Sequence, residues 1–244
     1  QTNIIRNMNY YQTDSYTPQS LDAKVSAVMK NVYVKMFLGL LLTALVAWGV
    51  AATANSDTSF LVYMAQHRWV YWGLAILELG LVLWISARLQ KMSSAMATGL
   101  FFLFAVVNGL TFSMIFVVYN IAAIFKTFLI TAGVFGAMSV YGYFTTRDLT
   151  KIGTFLYMAL FGMLILIVVN IFWANSTLEW IVSAAGVLIF IGLTAWDTQR
   201  IKQMAYADPS MADGRLATLG ALSLYLDFIN LFLYLLRFFG GNRD

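Results

Sequence analysis

Four ionisable residues fall inside long apolar runs of the chain or at their edges: Glu78, Arg88, Asp197 and Asp227. A charge at mid-membrane costs about 2.5–3.5 kcal/mol on insertion scales, so such residues face partners or a cavity. Asp227 lies within Leu224-Tyr225-Leu226-Asp227-Phe228-Ile229-Asn230, in the middle of the last apolar run. At helical rise it sits roughly 17 Å from the start of that helix. Asn230 is one turn further on, on the same face. Asp197 closes the preceding run, in Thr194-Ala195-Trp196-Asp197-Thr198-Gln199. Arg88 ends the second run, and Glu78 lies about 15 Å deeper on that helix.

The chemistry open to these residues is that of protons and hard cations. Asp197, placed at a helix C-terminus, meets a macrodipole that disfavours negative charge. Set beside Asp227, it adds like-charge repulsion and desolvation, and such a pair shares a proton and titrates as a unit. A proton, a guanidinium such as that of Arg88, or a divalent cation could neutralise it. Carboxylate and amide oxygens are the ligands calcium prefers, which makes Asp197 and Asp227 candidate transient calcium ligands. A proton-sensitive cation gate is one reading. The other is that Asp197 is a solvated end residue and Asp227 a lone structural hydrogen-bonder.

The elements that hold these residues follow from composition. Of 244 residues, 61% are hydrophobic and only 11% are charged. A soluble domain is nearer 45–50% apolar and about 25% charged, so a water-soluble protein is excluded. There is no cysteine, so disulfides and thiolate chemistry are absent, and His67 is the one histidine. The net charge of +4 fits basic loops on one side of a membrane better than a nucleic-acid partner. Seven long apolar runs cover Met36–Ala54, Trp69–Ala87, Ala97–Tyr119, Phe128–Thr145, Gly153–Trp173, Leu178–Trp196 and Leu216–Phe239. The expected architecture is an all-α membrane protein of seven transmembrane helices. Residues 1–20 form a polar tail, 21–241 the seven-helix domain and 242–244 the C-terminal end. The tail lacks the apolar core of a signal peptide. Ser20 is the expected cap of an amphipathic lead-in to the first span. Eleven of the fifteen Lys and Arg residues collect on one side if the N-terminus is cytosolic, which puts the C-terminus outside. Trp69, Trp72, Trp173 and Trp196 near run ends fit interfacial belts. Gly133 and Gly136 suggest close helix packing, and Asn108 and Asn170 structural hydrogen bonds.

Four segments occur in order: Ala87-Arg88-Leu89-Gln90-Lys91-Met92-Ser93, Val107-Asn108-Gly109-Leu110-Thr111, the Asp197 segment above, and Leu224 to Phe232. Together with seven spans, this pattern resembles the transmembrane Bax-inhibitor-motif (Bax inhibitor-1-like) family, in a bacterial-type member. The resemblance implies a seven-helix fold with the C-terminal helix central. It also implies a pH-sensitive calcium leak channel rather than an enzyme, with Asp197 and Asp227 as the paired acids and Arg88 as their gate partner. With the pair protonated or bridged to Arg88, the cytosolic end is closed. Loss of the proton, or a shift of Arg88, lets the second and last helices part, and calcium follows a path touching Glu78, Asp227 and Asn230. Calcium is then the permeant ion, no cofactor is expected, and the partners are calcium, protons and the bilayer of the bacterial inner (plasma) membrane. An alternative implied by the resemblance is an interaction protein that modulates a membrane-anchored ATP-dependent protease, with Gln1–Gln19 as its handle.

Two other readings fail on residues. An intramembrane aspartyl protease needs small residues before its aspartate, and Leu224, Tyr225 and Leu226 are bulky. A retinal protein needs a lysine in the last span for its Schiff base, and that span has none.

Overall fold

The computed structural model describes residues 17–53, 60–207 and 214–240, apart from the side chains of Pro18, Ala65, Arg68 and Gln90. The first helix, α1 (Pro18–Ala52), starts where Thr17 Oγ1 accepts the Ser20 N–H. Pro18 suits a first turn because no donor is needed there. The cap is therefore Thr17 rather than Ser20, whose hydroxyl donates back to the Thr17 carbonyl at 2.8 Å. The lead-in and the first span are one continuous helix of 35 residues, longer than the hydrocarbon core requires.

A short α2 (Phe60–Gln66) leads into α3 (Arg68–Arg88), which tightens into a 3-10 turn at Leu89–Lys91. Next comes α4 (Ser94–Phe112), capped by Ser93 Oγ on the Met96 N–H. It breaks before α5 (Ile115–Val118) without any proline. At the break the buried Ser113 donates its hydroxyl to the Leu110 carbonyl at 2.6 Å, the local competition that bends or ends helices. Asn120 caps α6 (Ile121–Phe144) through the Ala123 N–H, seven residues before the expected start at Phe128. The remaining helices are α7 (Thr150–Trp173), α8 (Ser176–Ala207) and α9 (Arg215–Phe239). Among the described residues seven helical stretches, with α4 and α5 counted as one, are long and apolar enough to cross a membrane. Large side chains such as Ile76, Phe161, Phe172 and Leu188 are exposed along them, as expected of surfaces that face lipid.

The last helix is the centre of the bundle. It packs against α8, α1, α6, α4 and α3. Leu224, Tyr225, Asp227, Phe228 and Ile229 are all buried, and what α9 leaves partly exposed is one narrow stripe, Leu219, Ser223, Leu226, Asn230 and Leu233. By contrast α7 buries only Gly153 and Met163 and leans on α8 from outside.

One boundary differs from the sequence-based expectation in a way that matters for the acids. The eighth helix runs ten residues beyond Asp197, so Asp197 is an interior helical residue. The helix macrodipole therefore does not act on it, because that effect fades within the last turn. Trp196 is for the same reason no belt residue: its ring packs inside, edge-on to Tyr157 with centroids 5.2 Å apart. Trp69, Trp72 and Trp173 are exposed at helix ends, as a belt requires, and Trp180 joins them.

The glycines that allow close packing are also not the expected ones. A side chain at Gly133 or Gly136 would meet nothing, whereas one at Gly142 would strike the Ala195 backbone and one at Gly153 the Trp196 ring. These two glycines seat α6 and α7 against α8 beside Asp197.

Candidate functional site

Asp197 on α8 and Asp227 on α9 are 2% and 4% exposed. Their carboxyl groups lie within hydrogen-bond reach of one another. Each keeps one buried oxygen without a hydrogen-bond partner, Asp197 Oδ1 and Asp227 Oδ2. Buried polar atoms are nearly always paired, and the exceptions cluster where function needs them. The helix around Asp197 is fastened on both sides. Thr194 and Thr198 donate to carbonyls one turn back. Gln199 accepts the Leu149 N–H at 2.9 Å and donates to the Arg147 carbonyl at 2.8 Å, tying α8 to the loop between α6 and α7. In that loop the Thr150 hydroxyl and N–H hold the exposed Asp148 carboxyl below its usual range.

Two residues that sequence reasoning did not single out stand against the pair. Arg200 Nη1 is 3.8 Å from Asp197 Oδ1, and Tyr157 of α7 faces the same guanidinium. The spacing of Arg200, three residues after an acid on a helix, was the available signal. Arg88, by contrast, is exposed at the end of α3, and among the described residues no ion pair joins it to either aspartate in this conformation. Asn230 lies one turn beyond Asp227 but donates to the Leu226 carbonyl of its own helix at 2.8 Å.

Glu78 belongs to a second cluster. Its carboxylate accepts Asn108 Nδ2 at 3.2 Å and the Thr111 hydroxyl at 2.6 Å. Asn108 Oδ1 in turn accepts the Tyr225 hydroxyl at 3.2 Å, and that hydroxyl is 2.7 Å from Thr43 Oγ1. The chain crosses from α3 through α4 and α9 to α1. Tyr225 and Asp227 are two residues apart, about 200° around the helix, so the two clusters sit on opposite sides of α9 at nearly the same depth. Asn108 thus has the interhelical role that mid-span amides favour. Asn170 instead accepts the Asn175 N–H and closes the end of α7. Lys35 donates to Thr98 Oγ1, the Gly214 carbonyl and Thr218 Oγ1 at 2.7–3.1 Å. It pins the start of α9 to α1 and α4. Among the described residues no group of three or more His, Asp or Glu side chains could hold a resident metal.

The fold and this site define a class: a seven-span helical membrane protein built around a last helix that carries a buried acid pair. The family model described as "Inhibitor of apoptosis-promoting Bax1" matches residues 25–244, and the chain belongs to that Bax-inhibitor family. It is 46% identical to the inner membrane protein YbhL of Escherichia coli K12, over 91% of this chain and 94% of that protein. An uncharacterized protein of Rickettsia prowazekii, RP147, is 39% identical over 93% of this chain and 94% of its own length. An uncharacterized membrane protein of Streptococcus pyogenes, SpyM3_0260, is 35% identical over 91% of this chain and 95% of its own. With seven apolar helices and these relatives, the chain is an integral membrane protein of the bacterial inner-membrane kind.

Proposed function

We propose that the protein is a proton-sensitive calcium leak gated at Asp197 and Asp227. One observation carries the reading: two carboxyl groups from neighbouring spans meet in an apolar bundle, each with a buried oxygen left unpartnered. Two carboxylates so close are not both ionised, so the pair shares a proton and acts as one titrating unit. In that state α8 and α9 stay together. Removing the proton leaves two like charges in a low-dielectric contact, and repulsion drives the helices apart. Calcium, which favours carboxylate oxygens, is the cation such an opening admits. Glu78 on the far side of α9 is the second carboxylate on its route, and Arg88 at the end of α3 is the mobile cation able to reach the opened pair. On the positive-inside reading of the basic loops, the Arg88 end of the bundle faces the cytosol.

The test is calcium flux into proteoliposomes across a pH series. The wild type is expected to show pH-dependent flux, and Asp227→Ala and Asp197→Asn are expected to lose that dependence. Unchanged flux and an unchanged pH profile in both variants would sink the gate.

A further inference from the structure

Arg200 takes no part in the gate as described, yet the structure builds a seat for it. Its guanidinium carbon is 5.1 Å from the Trp196 ring centre, a cation–π distance. Trp196 is itself held flat on α7, because Gly153 has no side chain to keep the indole away. Tyr157, one turn after Gly153 on the same face, closes the seat: its ring packs edge-on to Trp196 at 5.2 Å between centroids, and its hydroxyl faces the guanidinium. The seat aims the guanidinium at Asp197 Oδ1, the very oxygen that lacks a hydrogen-bond partner. At 3.8 Å the contact is an ion pair and not a hydrogen bond. Arg200 therefore compensates charge while leaving the lone pairs of Asp197 Oδ1 untaken. The Arg200 side chain is 46% exposed and that of Asp197 3%, so the cation stands between solvent and the buried acid.

We propose that Arg200 is a tethered cation that occupies the cation position of the aspartate pair and competes there with calcium arriving from solvent. The inference deepens the reading of Asp197 and Asp227 as the calcium-contacting pair, and rests on it. The groups facing the position are Asp227 from α9, Tyr157 from α7 and Arg200 itself from α8. An incoming divalent ion brings twice the charge and takes the free oxygens directly. Arg200 then turns outward without breaking a hydrogen bond to Asp197, a displacement that a fully buried and hydrogen-bonded arginine could not make.

The experiment is a calcium chloride titration of the purified full chain in nanodiscs, read by calorimetry, with magnesium chloride as the control. Arg200→Gln is expected to lower the half-saturating calcium about tenfold, the size set by removing one nearby, half-screened charge. Arg200→Lys keeps a cation and is expected to stay near the wild type. Gly153→Ala drives the Trp196 ring off α7, frees the guanidinium and is expected to shift calcium binding in the same direction as Arg200→Gln. Adding Asp197→Asn to Arg200→Gln should erase the gain. A merely structural arginine would not tighten calcium binding when removed. Calcium affinity in Arg200→Gln equal to or weaker than the wild type, or no calcium binding to either protein, overturns the proposal. Should Arg200→Gln not fold, Gly153→Ala decides on the same criterion. Flux tests the gate separately. If the aspartate variants lose pH-dependent flux while Arg200→Gln binds calcium as the wild type does, the gate stands and the tethered cation falls. If Arg200→Gln binds calcium more tightly while flux in the aspartate variants is unaltered, the tethered cation stands and the gate falls.

Discussion

The two polar clusters that flank α9 lie at nearly the same depth and are built to opposite standards. On the α4 side, Glu78, Asn108, Tyr225 and Thr43 form one chain in which each group meets a partner. On the α8 side, Asp197 and Asp227 keep two oxygens unpartnered and borrow a distant guanidinium. A satisfied network in low dielectric rigidifies and specifies a packing, while a half-satisfied one stores free energy that a proton or cation can release. The first cluster fastens α9 to α1, α3 and α4. The second leaves its contact with α8 poised to change. The same helix is thus fixed on one side and responsive on the other.

Substitutions should separate the two sides by sign. The largest effect belongs to Tyr225→Ala, which empties a fully buried site packed edge-on by Phe101 and Phe104. A loss of about 3–5 kcal/mol is expected, as for other buried aromatics cut to alanine, read as failure to recover folded protein. Across the helix, Asp227→Leu should raise stability by about 1–4 kcal/mol, because an apolar residue replaces an incompletely paired buried acid. A higher thermal midpoint in detergent together with a flat pH profile of flux is the expected result. A lower midpoint would mean that the α8 side is as well satisfied as the α4 side, and the comparison would break. Tyr225→Phe deletes only the hydroxyl that links Asn108 and Thr43. It should cost about 0.6–1.7 kcal/mol, the range measured for interhelical hydrogen bonds in membranes, and leave the pH profile of flux intact.

The smallest effect sharpens the comparison from outside both clusters. Asp148 is fully exposed, and Thr150 holds its carboxyl below the usual range. A group depressed on folding contributes stability above its unfolded value, and that contribution disappears as pH falls through its folded value. Asp148→Asn should therefore destabilise the protein slightly at neutral pH and not at all in strong acid, with no change in flux. A pH response of flux that moved with Asp148 would place the sensor in the loop and not at the pair.

Much of this arrangement is legible in the order of residues alone. Periodicity and apolar length locate the seven spans, since a chain this poor in charge has no other way to bury its surface. The expense of charge in lipid is enough to mark Glu78, Asp197 and Asp227. Less legible is where helices end. The run containing Asp197 stops looking apolar at Trp196 because Arg200 and Lys202 follow, yet the helix continues to Ala207. Lys202 is accommodated by the Tyr143 carbonyl and ring, contacts that no local pattern reveals. Gly133 and Gly136 misled for a similar reason: small residues permit close approach, but only the neighbour decides whether it occurs.

What the sequence by itself determined was therefore the inventory: helical spans, a short roster of intramembrane charges, and the segments that mark the family. These depend on hydropathy and residue type, which are local properties. Only the tertiary structure decided which oxygens are answered. It turned Tyr225 toward Asn108 and Asp227 toward Asp197, set Arg200 rather than Arg88 against the pair in this conformation, and recruited Tyr157 and Gly153 from a helix with no charge of its own within its apolar core. The reason is geometric. Two residues apart on a helix means opposite faces, and what each face meets is set by how the other helices pack around α9.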